Sequence, residues 1–336
     1  MDRRARCVLF WGIIGLLLII AVGGTTRLTR SGLSIVEWNV VMGTLPPVTE
    51  SEWHTEFFKY QKTPEYKLIN RHFTVSDYKK IYFWEWFHRL WARVLFLYFL
   101  GFGVFYLWKK KSAQIIAIAG LILLQGTVGW LMVKSGLRDQ PRVQPLMLVI
   151  HFFLALSTLA VALYFRIDRR KKFMDLWLHH RSEIGLLAVL LSQVFLGCLV
   201  SGYRAGFLEN TFPQMSAGFL PKISSPFHFS WSYLRENPVL FQLLHRWLAF
   251  AVMIYFWVLF IFTNKVRRPE WTTFNILLHS QILLGVLTLI LKVPVFFGIL
   301  HQLTAACLVL SYLHPLWMDF KPSACQTENT DVNRVP

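Results

Sequence analysis

Apolar runs of roughly 20 residues follow one another along this chain, and each is long enough to cross a bilayer as a helix. We read eight of them, at about 8–24, 84–108, 113–133, 144–165, 183–202, 238–262, 272–292 and 296–317. The composition agrees. Of 336 residues, 55% are hydrophobic and only 16% charged, less charge than a soluble chain of this length carries. The expected fold class is an all-α membrane protein with eight transmembrane helices. The formal net charge of +17 raises nucleic acid as a partner. The basic residues, however, mostly punctuate the apolar runs, as they do in cytoplasmic membrane loops, so lipid is expected and nucleic acid is not. Cysteines at 7, 198, 307 and 325 form no CxxC, so they signal neither a metal site nor a disulfide.

Orientation follows from the short loops. Arg3, Arg4 and Arg6 precede the first span, and Lys109, Lys110 and Lys111 separate the second from the third. Arg169, Arg170, Lys171 and Lys172 lie between the fourth and fifth, and Lys265, Arg267 and Arg268 between the sixth and seventh. All fall on one side, which places both termini in the cytoplasm. The N-terminus imitates a signal peptide but lacks a convincing small-x-small cleavage site, so it reads as a retained span. No Arg/Ser-rich leader precedes it, which favours a bacterial plasma (inner) membrane. Segments 25–80 and 203–237 then face outward, and their Pro, Gly and aromatic content suggests ordered caps.

The two halves repeat. HRLWA at 88–92 matches HRWLA at 245–249; VIHFFLA at 149–155 matches ILHQLTA at 299–305; LLQGTVG at 123–129 matches HSQILLG at 279–285. Four spans per copy keep the same orientation, giving two tandem four-helix bundles related by a pseudo-two-fold along the membrane normal. We expect an N-terminal half at 1–172 with the long outer loop, a C-terminal half at 173–320, and a cytoplasmic tail at 321–336.

Four of eleven histidines fall in even-numbered spans: His88, His151, His245 and His301. Counted from Lys80, Arg142, Pro238 and Pro294, each lies seven to nine residues inside the outer boundary. That is roughly 10–14 Å at 1.5 Å per residue, one common level. A lone membrane histidine is usually a packing residue, but four at one depth in repeat-related pairs point to ligation. Helices presenting one imidazole each can give bis-histidine ligation of a haem iron, with His88 paired to His151 and His245 to His301. Arg89 and Arg246 follow the first ligand of each pair and can hold haem propionates or snorkel to headgroups. His179, His180, His54, His72, His228, His279 and His314 lie in loops or toward cytoplasmic ends and are weaker candidates.

Glu85, three residues before His88, also fits a di-iron carboxylate bundle, which needs two Glu-x-x-His helices and two more glutamates. The equivalent of Glu85 in the second half is Gln242, so that reading fails on ligand count. The substitution suggests a division of labour. A carboxylate in a partly dry pocket can act as base or stabilise developing positive charge; a glutamine can do neither. The first half is then a reaction site and the second holds a permanent redox haem. The bland alternative pairs Glu85 with Arg89 or Lys80.

The chain resembles the haem A synthase family, in its proteobacterial and mitochondrial form, over essentially its whole length. The motifs are GGTTRLTRSGLSIVEW (23–38), GTLPP (43–47), EW…F…Y…PEY (52–66), EWFHR (85–89), LLHRW (243–247) and LHQLTA (300–305). The resemblance implies oxidation of the C8 methyl of haem O to a formyl group by two successive hydroxylations and a dehydration. It implies water as the oxygen source, and haem A for terminal oxidases as the product. It implies that His245 and His301 bind a resident haem b, that His88 and His151 form the substrate-haem site, and that Glu85 is the essential acid. A haem O synthase partner and an electron acceptor are expected with it, and a homo-oligomer is left open. Some members carry a cysteine pair in the first outer loop. This chain has none there, so we expect Gly23 and Gly24 to end span one tightly, letting Arg27, Thr29 and Ser31 fold over the N-terminal site. A turn without substrate contact is the alternative. The rival functions are a membrane haem exporter or chaperone, which leaves the single-sided Glu85 unexplained, and a b-type electron-transfer cytochrome. The latter stacks haems at two depths, whereas these histidines share one.

Overall fold

The computed structural model describes residues 2–38, 42–110, 113–137, 141–167, 181–215, 218–221, 230–263, 266–267 and 269–318. His179, His180 and His228, the basic residues Lys111, Arg169–Lys172, Lys265 and Arg268, Cys325 and the tail 321–336 lie outside them. Among the described residues, eight helices are long and apolar enough to cross a membrane. We label the helices in chain order: α1 Arg3–Leu28, α2 Glu50–Gln61, α3 Pro64–Leu68, α4 Val75–Trp108, α5 Gln114–Gly136 and α6 Pro145–Arg166. There follow α7 Arg181–Gly202, α8 Trp231–Glu236, α9 Val239–Phe262, α10 Thr272–Ile290 and α11 Val295–Trp317. This is the all-α membrane architecture expected.

Contacts among the described helices are closed within the first half and shared between the halves elsewhere. In the first half α1 packs on α4, α4 on α5, α5 on α6, and α6 back on α1. In the second, α7 pairs with α9 and α10 with α11, while α1–α11, α6–α7 and α6–α11 contacts join the halves. Small residues set these approaches, as expected where lipid offers no competing hydrophobic drive. A Cβ on Gly103 would meet the Ile116 backbone, and one on Gly202 would meet Pro145 at 2.8 Å.

Helix α4 is 34 residues long, about 51 Å at 1.5 Å per residue, well beyond a hydrocarbon core of roughly 30 Å. Its outer turns therefore project above the membrane and carry the first cap. A capping box starts it, with Thr74 and Asp77 satisfying each other's backbone N–H; Thr49 and Glu52 start α2 in the same way. The cap docks on α4 through an aromatic core of Phe57, Tyr60, Tyr78 and Tyr82, where Tyr60 and Tyr78 stack at 5.1 Å.

One expectation is corrected. Gly23 and Gly24 do not end span one; α1 continues to Leu28. The glycines sit inside the helix, where a Cβ on Gly23 would crowd His88 at 3.0 Å and one on Gly24 would crowd Gln302 at 3.1 Å. The chain turns one step later, at Arg30, in the left-handed region at φ 55°. Arg204, just after α7, has the same φ of 55°, so the exit turn belongs to the repeat.

Candidate functional site

The four histidines occupy equivalent places. His151, His245 and His301 lie six residues after the first residue of α6, α9 and α11. His88 lies deeper in its own helix because α4 begins above the membrane. Each imidazole rests on a glycine of the helix that precedes it in the repeat. A Cβ on Gly23, Gly129, Gly197 or Gly285 would fall 3.0–3.1 Å from the Cε1 of His88, His151, His245 or His301 respectively.

His245 and His301 are brought together, with ring centres 6.4 Å apart and planes at 84°. Two imidazoles sharing one iron through bonds of about 2.0 Å put their ring centres roughly 6.4 Å apart. The Nδ1 of His245 faces the Gln193 carbonyl at 3.2 Å. A carbonyl only accepts, so Nδ1 carries the proton and Nε2 keeps its lone pair for a metal. His88 and His151 are carried on α4 and α6 of the first half. The Nδ1 atoms of His88, His151 and His301 are shut off from solvent without a hydrogen-bond partner. Among the described residues no group of three or more His, Cys, Asp or Glu gathers as a metal site. Imidazoles held in glycine cradles, with His245 and His301 at the spacing of two rings on one iron, suit ligation of a haem iron.

Glu85 sits above His88, 3% exposed, and is fully engaged. Its Oε2 accepts from Ser34 N at 2.7 Å, Ser34 Oγ at 2.7 Å and Ile35 N at 2.9 Å. Its Oε1 accepts from Arg89 Nη2 at 2.6 Å. Arg89 also donates to the carbonyls of Ile35 and Glu37. The pairing with Arg89 is therefore present, while Lys80 turns to Asp77. The second half reproduces this clamp with one change. Gln242, 2% exposed, donates to the Glu209 carbonyl at 2.8 Å, and Arg246 donates to the carbonyls of Glu209 and Thr211 at 2.6 and 2.9 Å. In each half an arginine thus grips alternate carbonyls of the loop above. The Nε of Arg246 remains buried and unpartnered.

The residues over the first site are not the expected ones. Arg27 reaches across to the Ser201 carbonyl of the other half at 3.2 Å, and Thr29 and Ser31 bond to each other; Ser34 and Ile35 are the ones that meet Glu85. Sequence reasoning also missed Glu65, a cap carboxyl that is 3% exposed and accepts from Tyr60 Oη. Burial, reinforced by the charge of Glu85 and opposed by Arg204 and Arg30, pushes it up to about 7. It missed three glutamines as well. Gln125 and Gln193 donate to the backbone carbonyls of His151 and His245, each at 2.9 Å, and Gln281 approaches His301 Nε2 at 3.4 Å. The recurring Gln-x-x-x-Gly at 125–129, 193–197 and 281–285 was the available signal. His54, His72 and His279 are exposed, away from these pairs.

Comparison with known proteins places these features in context. The family model COX15-CtaA, described as cytochrome oxidase assembly protein, matches residues 6–313. A relative from Flavobacterium johnsoniae, named haem A synthase, is 36% identical over 94% of this chain and 98% of its own length. One of the same name from Ehrlichia ruminantium is 36% identical over 90% of this chain and 89% of its own. Another, from Sphingopyxis alaskensis, is 35% identical over 89% and 87%.

Proposed function

We propose, since the chain belongs to the cytochrome oxidase assembly family that contains these relatives, that it is a haem A synthase. It is an oxidoreductase that converts haem O to haem A in the membrane. The observation that carries the reading is the asymmetry between two otherwise matching clamps: Glu85 in the first half and Gln242 in the second, each beside an arginine that holds the outer loop.

His245 and His301 are proposed to hold a resident haem b, which supplies one-electron redox chemistry when bound. His88 and His151 are proposed to hold the iron of the substrate, haem O. Each hydroxylation adds one oxygen, taken from water, to the C8 methyl carbon and releases two electrons and two protons. After the second, loss of water leaves the formyl group. Electrons pass to an acceptor outside the chain. Both Glu85 oxygens are committed to donors, so its part is to stabilise positive charge developing nearby and to keep the 31–38 loop closed against water. Arg246, with its unpartnered Nε, is proposed to take a propionate. Arg89, the matching candidate, spends its guanidinium on Glu85 and two loop carbonyls, which supports a role in holding the cap beside any propionate contact. Haem O synthase is the expected supplier. The proposed setting is a bacterial plasma membrane with both termini cytoplasmic, supported by the basic loops.

The test is extraction and mass analysis of bound haems after supply of haem O. Glu85→Gln should retain haem b and accumulate haem O, with haem A formation down at least about tenfold. Undiminished haem A formation would remove Glu85 from the mechanism.

A further inference from the structure

In each half the loop held by the arginine clamp continues into an aromatic residue, and the two halves aim it differently. Arg246 holds the carbonyls of Glu209 and Thr211. The next residue, Phe212, turns onto Phe250 of the arginine's own helix, with ring centres 6.3 Å apart. Arg89 holds the carbonyls of Ile35 and Glu37, but the next residue, Trp38, crosses to α5. Its ring lies 5.4 Å from the Arg89 guanidinium and 6.4 Å from the ring of Trp130. Trp130 directly follows Gly129, the cradle of His151. One turn further along α5, Lys134 places its ammonium over the Trp130 ring at 5.0 Å, within cation–π range. A lysine, two indoles and an arginine thus form one continuous row. It runs from beside the cradle of one first-half histidine to the residue next to the other. Trp38 and Lys134 are exposed, and among the described residues Lys134 has no carboxylate partner. In the second half the positions of Trp130 and Lys134 hold Val286 and Ile290.

We propose that Lys134, its ammonium steadied on Trp130 and the Trp38 bridge, takes a propionate carboxylate of the substrate haem. The proposal rests on the reading of His88 and His151 as the substrate-haem site. A haem brings two carboxylates with it. The cation next to His88, Arg89, has its charge cancelled by Glu85 at 2.6 Å, so a partner for them must come from elsewhere. Lys134 stands on the helix that cradles the other histidine, five residues beyond Gly129, or about 7.5 Å at 1.5 Å per residue. Its chemistry also suits a ligand that has to leave. An ammonium is a point charge on a flexible stem, whereas a guanidinium grips a carboxylate through two parallel hydrogen bonds. A lipid phosphate offers the same kind of anion, but an ammonium that serves only headgroups needs no aromatic bridge to Arg89.

Equilibrium titration separates the two sources without reference to turnover. Haem O is added to the intact protein, loaded with haem b in lipid nanodiscs, and affinity is read from the Soret band. The parent should bind haem O about tenfold more tightly than haem O dimethyl ester, in which both propionates are masked. Lys134→Met should weaken haem O binding about tenfold and leave the ester unchanged, and Lys134→Arg should restore the preference for the free acid. Unchanged haem O affinity in Lys134→Met would overturn the proposal. A loss of bound anionic lipid in that same variant would then assign the lysine to a phosphate headgroup. An equal loss for acid and ester would overturn it too, because the lysine would then act through the shape of the site. A parent that takes up no haem O beside its haem b would overturn it together with the substrate-site reading.

Discussion

At the scale of single residues, the site is built from contacts that tolerate little change. A Cβ on Gly197 would stand 3.0 Å from His245 Cε1, so Gly197→Ala must turn the imidazole or push α7 from α9. On the proposed ligand assignment, the expected outcome is a loss of haem affinity of about tenfold or more at this pair, read from the haem-to-protein ratio after purification. Gly285→Ala should do the same through His301, while Gly101→Ala, where nothing lies within 4 Å, should leave the ratio unchanged. The histidines and Glu85 were legible because they are polar residues in apolar runs. The glycines were not, because a helical glycine in sequence looks like a weak point or a stop. What fixes its role is the neighbour it admits, and that neighbour lies on another helix.

At the scale of elements, the first cap is the part most open to pH. Glu65 is raised from its ordinary 4.5 to about 7, chiefly by burial. Between those values the folded cap binds a proton that the unfolded segment has released, so docking weakens as pH rises through that window. Below it the full stability is present; above it a cost on the order of 3 kcal/mol remains. Proteolysis of the 49–70 segment should therefore accelerate between about pH 5 and 7 in the parent, and Glu65→Gln should flatten the profile. An unchanged profile in that variant would place the sensitivity elsewhere. The existence and order of the spans could be read from hydropathy alone, since bilayer thickness fixes their length. The overlong α4 could not, because its extra turns are stabilised by aromatic contacts with α2 that no local pattern announces.

At the scale of the whole molecule, the halves are joined by contacts close to both sites. Gln302, the neighbour of His301, donates to the Ile20 carbonyl of α1 at 2.9 Å, beside the glycine that cradles His88, and Arg27 bonds the other half through Ser201. Gly202→Val would force a side chain into Pro145 and separate α7 from α6. We expect a destabilisation of about 1–3 kcal/mol, seen as a lower melting temperature of the detergent-solubilised protein, with both proposed haem sites perturbed rather than one. The repeat is legible in the sequence as matching histidine motifs. The residues that couple the halves break the repeat, and for that reason comparing the halves could not find them.

Each hairpin brings a single imidazole, so neither pair exists until two hairpins have met. For His245 and His301 the second partner is α11, the last helix described. During synthesis, therefore, this pair is completed only after the other described spans have emerged from the ribosome, and a group that needs both imidazoles can bind there only then. A ribosome that stalls after α9 leaves a product with three of the four histidines and no complete second pair.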